Sequence, residues 1–388
     1  MPCDALVRLR ICAAAICIVC ADVACTSETL APTAVTPGVT RVWRMVMPGA
    51  TTLTSFSHAT VTGSGFSFVT PDGQLVGVSR ADGAIRWSTR GPRSSPKALI
   101  YTGGVVIYPG ISVAGFNALD GSTRWTLPVT SEVSGCDAAS TPTIVIVCSR
   151  DWNVTAVDVA TGAARWSVSL RDSLSGLPTL VGTTISGDTV YAAVKQLYST
   201  TVGFAQAMIF ALSLHDGRIL SLIREGAYTD FTGYIGTPRV VGRILIIPHL
   251  INNKLTGIDR FSGKVVWRVV GDVGWAGFVS IPTVVDGVFY AASADRRVYA
   301  VEAATGAIRW KSEILEGSQE LAAACGNVVV TWTGVNVRVL DRATGRYLGA
   351  IIDEIPPGLE YAITSPPLTD GNELFVRSQK EYRKYTCR

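Results

Sequence analysis

Apolar and polar residues alternate along most of this chain in short stretches, and many of these stretches end at a glycine. Val154 and Ala156 mark one stretch, and Val298 and Ala300 mark another. A period of two is typical of a half-buried β-strand, and glycine supplies the positive φ that a tight turn needs. The pattern therefore predicts an all-β chain of short antiparallel strands.

One phrase of strand, turn and strand recurs seven times. Its copies are 38 to 55 residues apart, close to the roughly 40–45 residues of a four-stranded propeller blade. A polar residue four positions before the glycine is expected to cap the turn. Four positions after the glycine, five copies carry a tryptophan, whose flat ring suits the gap between twisted neighbouring sheets, while two carry Ser221 and Gly349. The glycines are Gly83, Gly121, Gly162, Gly217, Gly263, Gly306 and Gly345, and the tryptophans are Trp87, Trp125, Trp166, Trp267 and Trp310.

The two ends of the chain each supply part of a blade. A second phrase, such as "IPTVVDGVFYAASADR" from Ile281, contributes two further strands upstream of a copy, which makes four strands per blade. From Ser365 onward the chain has room for three strands and no fourth, whereas "TRVWRM" carries Trp43 on a lone strand near the start. We predict an eight-bladed β-propeller in which the N-terminal strand completes the C-terminal blade, so that no open seam remains.

The first 40 residues are unlike the rest. Arg8 and Arg10 precede an apolar run, 11–19, that is short for a membrane span and typical of a secretory signal. Residues 26–40 are rich in Thr and Pro, the composition of a tether. We therefore divide the chain into a signal or lipoprotein peptide (1–25), a tether (26–40) and a propeller domain (41–388).

"DVAC", which ends at Cys25, resembles the lipobox of bacterial lipoproteins. The resemblance implies that Cys25 is lipidated and becomes the mature N-terminus. Because Thr26 rather than Asp follows it, the resemblance favours the outer membrane over retention at the inner one. We therefore expect the exported chain at the periplasmic face of the outer membrane or at the cell surface. The alternative is a soluble exported protein cut by the ordinary signal peptidase.

Four cysteines lie in the body of the chain, and an exported protein can pair them into two disulfides. Cys136 and Cys148 flank one predicted strand and are the preferred pair. A bond between Cys325 and Cys387 depends on how the ring closes. Free buried thiols are the alternative.

Composition argues for a large core and against several kinds of site. Only 16% of residues are charged, 48% are hydrophobic and the net charge is +4, so no footprint for nucleic acid is present. His58, His215 and His249 lack metal-ligand spacing and are expected at the surface or in turns. The carboxylates recur one per blade as turn caps rather than as an acid and base pair. The sequence predicts no metal, no cofactor and no catalytic residue.

Aromatic residues gather in the links that follow the fourth and fifth copies. They are Tyr228, Phe231, Tyr234, Trp275 and Phe278. Both links run from an outer strand to the next inner strand, so they should emerge on the same face of adjacent blades. Exposed aromatic clusters mark partner or ligand sites, and the alternative is that these rings plug the central channel. An insertion from Lys195 to Ala207 is a second candidate contact loop.

The motif "VDVATGAARW" around Gly162, with its siblings "IDRFSGKVVW" and "VEAATGAIRW", resembles the tryptophan-docking repeat of the PQQ-like β-propeller family over 41–388. Within that family the chain is similar to the BamB lipoproteins of the outer-membrane assembly machinery. The resemblance implies a non-enzymatic scaffold that binds envelope proteins, with a lipid anchor as its membrane contact. One alternative is a propeller that binds a small ligand or glycan. Another is a PQQ-dependent dehydrogenase, whose adjacent cysteine pair has no match in this sequence.

Overall fold

A computed structural model of the chain describes residues 36–46, 59–70, 72–92, 98–129, 131, 133, 137–197, 205–225, 234–251, 253–272, 277–278, 283–315, 321–333, 336–351, 366–378 and 381–388. The chain divides into two compact units, Met1–Val35 and Thr36–Arg388, and every described residue belongs to the second. The second unit therefore begins inside the predicted tether, five residues before the predicted boundary at 41.

The described residues fold into 32 strands and one short 3-10 turn, Arg171–Ser173. The first sixteen strands are β1 (Val39–Val46), β2 (Thr60–Val61), β3 (Gly65–Val69), β4 (Gln74–Ser79), β5 (Ile85–Arg90), β6 (Ile100–Thr102), β7 (Val105–Pro109), β8 (Ser112–Asn117), β9 (Thr123–Pro128), β10 (Ala139–Ser140), β11 (Ile144–Cys148), β12 (Asn153–Asp158), β13 (Ala164–Ser169), β14 (Leu177–Ser186), β15 (Thr189–Leu197) and β16 (Ala205–Ser213).

The second half continues the same succession. Its strands are β17 (Ile219–Glu225), β18 (Arg239–Val241), β19 (Ile244–Pro248), β20 (Lys254–Asp259), β21 (Val265–Val270), β22 (Thr283–Val285), β23 (Val288–Ser293), β24 (Arg297–Glu302), β25 (Ile308–Lys311), β26 (Leu321–Cys325), β27 (Val328–Trp332), β28 (Val337–Asp341), β29 (Tyr347–Ile351), β30 (Leu368–Asp370), β31 (Glu373–Arg377) and β32 (Glu381–Cys387).

These strands form eight four-stranded antiparallel sheets, and the prediction of eight blades is confirmed. Blades 1 to 7 each take four consecutive strands, from β2–β5 to β26–β29. Blade 8 has the order β1-β32-β31-β30, so the N-terminal strand is its fourth strand, with Val39 opposite Cys387 and Val46 opposite Glu381. The two ends of the chain thus close the ring by backbone pairing.

Apolar side chains fill the space between neighbouring blades. Between blades 8 and 1, Phe66 stacks on Phe375 with ring centroids 5.0 Å apart and meets the edge of Tyr382 at 4.7 Å. Comparable clusters of buried Val, Ile, Leu and Ala lie between the other blades. Each blade buries both of its faces, which is why β3, β7, β11 and β19 are buried along their whole length.

The recurrent tryptophan docks onto the glycine turn of the following blade. In blade 2, Trp125 donates its indole N–H to the Val159 carbonyl at 2.9 Å, and a Cβ added to Gly162 would lie 2.5 Å from the indole ring. Gly162 has a φ of 74°, which is the left-handed region that glycine favours. The other docking pairs are Trp43 with Gly83, Trp87 with Gly121, Trp166 with Gly217, Trp267 with Gly306 and Trp310 with Gly345. One motif therefore builds both a turn and a seam.

In five of the seven copies the polar residue four positions before the glycine caps the turn by accepting backbone N–H groups, as predicted; these residues are Asn117, Asp158, Ser213, Asp259 and Asp341. Asp158 Oδ1 accepts hydrogen bonds from the backbone N–H groups of Ala160 and Thr161, at 3.0 and 2.9 Å. Its Oδ2 pairs with Arg165 Nη2 at 2.6 Å. The hydrogen bond from Arg165 and those from the turn lower the pKa of Asp158 to about 2. These carboxylates serve the turns.

Two of the eight seams lack a docked tryptophan, because Ser221 and Gly349 occupy its position. Between blades 7 and 8, Cys325 and Cys387 form a disulfide, so for this pair the alternative of free thiols is wrong. Cys148 is also disulfide-bonded, whereas Cys136 lies outside the described residues, and their pairing stays a prediction. The seam between blades 4 and 5 has neither a docked indole nor one of the described disulfides.

Candidate interaction face

The ring has two faces of different construction. Because neighbouring strands in a blade are antiparallel, the turn between the second and third strands emerges at the same end as the connection to the next blade. We call this the loop face. The glycine turns lie at the opposite end, which we call the turn face.

On the loop face, the turn of blade 5 holds the connections on both of its sides. We call it the blade 5 loop; it spans residues 249–254, of which the structure describes all but 252. The backbone N–H of Leu250 donates to the Tyr234 carbonyl at 2.7 Å, at the end of the connection from blade 4. The N–H of Phe278 donates to the His249 carbonyl at 2.8 Å, at the end of the connection to blade 6. One loop therefore fixes the ends of two connections.

A buried ionic cluster ties the blade 5 loop to blade 4. Glu225, the last residue of β17, lies 3.0 Å through Oε2 from His249 Nε2. Its Oε1 accepts the Thr256 hydroxyl at 2.8 Å and lies 3.4 Å from Lys254 Nζ. Burial alone would raise the pKa of Glu225, but the hydrogen bond and charge of His249, together with Lys254, lower it to about 2. The carboxylate is thus ionised and holds the seam that lacks a tryptophan.

The histidines are placed differently from one another. His249 lies at a turn as predicted, but it is fully buried rather than at the surface, because Glu225 supplies a partner inside the seam. His215 is exposed in the turn of blade 4, with Nε2 3.4 Å from Asp188 Oδ1. His58 lies outside the described residues.

A second buried network ties the blade 5 loop to blade 6. Asn253 is fully buried, has a φ of 42°, and donates through Nδ2 to Asp295 Oδ2 at 3.0 Å. The Ser293 hydroxyl donates to Asn253 Oδ1 at 2.7 Å, and the Tyr299 hydroxyl donates to Asp295 at 2.5 Å. Burial and the hydrogen bond to Asp295 raise the pKa of Tyr299. The side-chain donors of Asn253, Ser293 and Tyr299 thus each bond to an acceptor within the network, which favours a single rigid arrangement.

Two glycines let the connection to blade 6 approach the blade 5 loop. A Cβ on Gly277 would lie 1.7 Å from the Leu250 carbonyl oxygen, and a Cβ on Gly271 would lie 1.9 Å from Asn253 Nδ2. Backbone and buried side chain cannot move aside by that much without disturbing the seams. Both positions therefore require glycine because a side chain would clash there, and not because of a left-handed backbone conformation.

The predicted aromatic patch is only partly within the described residues. Tyr228, Phe231 and Trp275 lie outside them. Tyr234 is half-buried, with Lys195 Nζ 4.9 Å above its ring. Phe278 is fully buried between blades 5 and 6, where it meets Tyr299 edge-on at 5.3 Å, so its inclusion in an exposed patch is wrong. The bridge that pairs Phe278 with Ser293 turns its ring inward.

The two described ends of the insertion in blade 4 extend the hairpin of β15 and β16. β15 and β16 have nine residues each and pair without a break from Thr189 with Ser213 to Leu197 with Ala205. The predicted contact loop from Lys195 to Ala207 therefore begins and ends as strand. Residues 198–204 lie outside the described part.

One aromatic residue of the loop face was not anticipated. Trp152 lies in the turn between β11 and β12, has a φ of 64° and donates its indole N–H to the Pro178 carbonyl at 3.0 Å. The Arg171 guanidinium sits 4.5 Å from the Trp152 ring centroid. Trp152 stands outside the repeat motif, so spacing gives no signal for it.

The geometry of the loop face suits binding. Charged groups pair across the seam between blades 4 and 5, and the two connections beside blade 5 are held at their described ends by side-chain and backbone contacts. Among the described residues, no group of three or more His, Cys, Asp or Glu side chains is placed to hold a metal ion. Within the same part of the chain, no helix is long and apolar enough to cross a bilayer.

Comparisons with known proteins agree with this architecture. The family model described as "Outer membrane protein assembly factor BamB" matches residues 33–207 and 206–385. Outer membrane protein assembly factor BamB of Moranella endobia (strain PCIT) is 27% identical over 268 residues, which are 66% of this chain and 63% of that protein, so the match spans less than two thirds of the relative's length.

Two solved structures resemble the ring. BamB from Moraxella catarrhalis superposes with a TM-score of 0.65 at 18% identity, over 90% of this chain and 98% of that one. The computationally designed Ika8 protein superposes with a TM-score of 0.67 at 14% identity, over 85% and 95%. At these identities the likeness concerns the fold alone.

Proposed function

This chain belongs to the family of outer membrane protein assembly factor BamB, and we propose from that premise that it is a non-enzymatic scaffold in the assembly of outer-membrane proteins. In this proposal it is exported and held at the periplasmic face of the outer membrane by a lipidated Cys25. Its loop face binds other components of the assembly machinery.

The observation that carries the proposal is the double anchoring of the blade 5 loop. The link 226–233 starts at Glu225, which is bound in the ionic cluster, and ends at Tyr234, which is bound to Leu250. The link 273–276 follows Asp272, whose backbone N–H donates to Asp295 Oδ2 at 3.2 Å. It ends at Gly277, which packs closely against the Leu250 carbonyl. Short segments held at both ends by a rigid frame lose little entropy when they bind.

The composition of these links supports protein binding. They carry Tyr228, Phe231 and Trp275, and aromatic rings supply most of the strong contacts in protein interfaces. The described ends of both links lie on the loop face, on adjacent blades. A partner with a complementary apolar surface is therefore the expected ligand.

Affinity capture of the full-length tagged chain from detergent-solubilised envelopes tests the proposal. The wild type should recover an outer-membrane assembly barrel, and mass spectrometry of its own N-terminal peptide should show diacylated Cys25. The triple variant Tyr228→Ser, Phe231→Ser and Trp275→Ser should lose the barrel. Leu119→Ser is the matched control, because Leu119 is 70% exposed on the turn face and its loss should leave capture unchanged.

Two results would count against the proposal. Recovery of the wild-type chain alone, without an assembly barrel, contradicts the scaffold role. Equal recovery of the barrel by the triple variant and the wild type contradicts the assignment of the loop face as the contact surface.

A further inference from the structure

The seam between blades 4 and 5 keeps the backbone of the docking position but not its indole. Ser221 of β17 pairs with Ala211, as Trp166 pairs with Ala156 and Trp310 with Ala300 in the equivalent blades. Ser221 is exposed. A small polar residue therefore stands where six other blades place a tryptophan.

The space in front of the next glycine turn is less filled than at the other seams. A Cβ added to Gly263 would find only Ile223 Cγ1 within 4 Å among the described residues, at 3.6 Å. At the six docked seams the nearest indole atom would lie 2.4 to 2.8 Å from the added Cβ. At the seam between blades 7 and 8, Val328 fills the corresponding space in front of Gly38, at 2.6 Å. Of the eight seams, the one at Gly263 alone has no described atom within 3.5 Å of the added Cβ.

The backbone carbonyl that accepts the indole N–H at the docked seams has a counterpart at this seam. Each docked indole N–H donates to the carbonyl three residues before the next glycine, for example Arg80 for Trp43 at 3.0 Å and Ala303 for Trp267 at 3.1 Å. The counterpart at the open seam is the carbonyl of Arg260. Gly263 keeps a φ of 69°, close to the 72–75° of the docked turns.

Apolar residues are exposed around the open position, as Val42 of blade 8 and Leu119 of blade 2 are at their own rims. Three residues after the glycine, blades 1, 2, 3 and 6 expose Arg86, Arg124, Arg165 and Arg309, whereas blades 4 and 5 expose Leu220 and Val266. Phe261, two residues before Gly263, is 66% exposed. Adjacent apolar residues at an outer rim are typical of a surface that another protein covers.

We infer that the open docking position between blades 4 and 5 receives a tryptophan side chain from a partner polypeptide. The six docked seams show which group this backbone geometry fits, an indole with its N–H aimed at a carbonyl. Eight of the nine tryptophans of the chain are described and lie elsewhere, and the ninth, Trp275, lies outside the described residues, three positions after Asp272 at the loop-face end of blade 5. This site goes beyond the proposed function, because it lies on the turn face rather than the loop face. Its occupation also does not depend on a lipid anchor.

Methyl NMR of the full-length chain in detergent, labelled at isoleucine methyl groups, tests the inference. The Ile223 signal, assigned through Ile223→Val, should move upfield on titration with N-acetyl-tryptophanamide, because an indole in front of Gly263 would place its ring against this side chain. A single side chain has few atoms to bind with, so saturation is expected in the millimolar range. N-acetyl-leucinamide should not produce the shift.

Three variants sharpen the test. Ser221→Trp should fill the position from within, shift the Ile223 signal before any probe is added and abolish its response to the probe. Ser221→Ala leaves the position open and should respond as the wild type does. Ser88→Trp adds an exposed indole to the outer strand of blade 1, whose docking position Trp87 already fills, and should also respond as the wild type.

The inference is overturned if the wild-type Ile223 signal does not move with N-acetyl-tryptophanamide, or moves equally with N-acetyl-leucinamide. A full response to the probe in folded Ser221→Trp overturns it as well. The wild-type titration decides the matter even if that variant does not fold.

Discussion

Replacing Gly162 by alanine should separate the two ways in which a glycine turn supports a seam. Gly162 has a φ of 74°, where a residue with a Cβ pays about 1–2 kcal/mol. The new Cβ would also lie 2.5 Å from the Trp125 ring, so the indole must move. Overpacking of this kind costs about 1–3 kcal/mol. We expect Gly162→Ala to lower the free energy of unfolding by about 2–5 kcal/mol, the sum of the two.

The free energy that the Trp125 indole contributes to folding sets an upper limit on the steric cost of Gly162→Ala. Trp125 is 8% exposed and buries about 200 Å² of side-chain surface, which at about 25 cal/mol per Å² is worth about 5 kcal/mol. Truncation in Trp125→Ala should therefore cost about 3–5 kcal/mol. A displaced ring loses part of that contribution, so the steric cost of Gly162→Ala must be smaller than the cost of truncation.

Gly263→Ala is the matched control. Its φ is 69°, but an added Cβ would meet only Ile223 among the described residues, at the ordinary contact distance of 3.6 Å. It should therefore show only the backbone cost, about 1–2 kcal/mol. The difference between the two alanine variants measures the tryptophan contact.

Urea unfolding followed by circular dichroism, with the double variant Trp125→Ala and Gly162→Ala, completes the measurement. Once the indole is gone, the steric part of Gly162→Ala disappears, so the double variant should be about 1–3 kcal/mol more stable than the sum of the single effects predicts. Equal costs for Gly162→Ala and Gly263→Ala, or strict additivity in the double variant, would refute the docking argument.

Two further predictions concern the seams without a docked tryptophan. The pKa of Glu225 is about 2 in the folded chain, below its unfolded value, so its contribution of about 3 kcal/mol is present at pH 7 and is lost as the pH falls from about 4.5 towards 2. Urea midpoints of Glu225→Gln and wild type should differ at pH 7 and converge at low pH, and parallel profiles would contradict the ion-pair role. Replacing Cys325 and Cys387 by alanine opens a bond between residues 62 positions apart and should cost about 4 kcal/mol in urea without reductant, where the disulfide of Cys148 stays intact. A reductant that shifts the midpoint of the double variant as much as that of the wild type would contradict this.

The repeat made the fold predictable because each copy encodes its own local structure and its contact with the next. Gly162 specifies a turn whatever surrounds it, and the tryptophan four positions after a glycine reaches the neighbouring turn at a fixed offset. Trp43, alone on the first strand, predicted the shared blade, and it docks on Gly83 as the others dock on their glycines. Such near-neighbour rules can be read along a chain.

The candidate site was harder to predict because it depends on contacts between blades that lack a fixed offset. His249 has no motif around it, and its burial follows from Glu225, which reaches it from another blade. Phe278 reads as one of a set of exposed aromatics, yet one backbone bridge to Ser293 turns it into the core. The bond between Cys325 and Cys387 depends on which blades meet when the ring closes.

By itself the sequence determined the strands, the turns, the number of blades and the way the ends meet, since these follow from periodicity and from motifs that act over a few residues. Only the tertiary structure decided which seam uses a disulfide and which a buried carboxylate where the indole is missing, and which side chains remain exposed on the loop face. The physical reason is that burial and pairing are properties of two surfaces brought together, and the closure of the ring selects those surfaces.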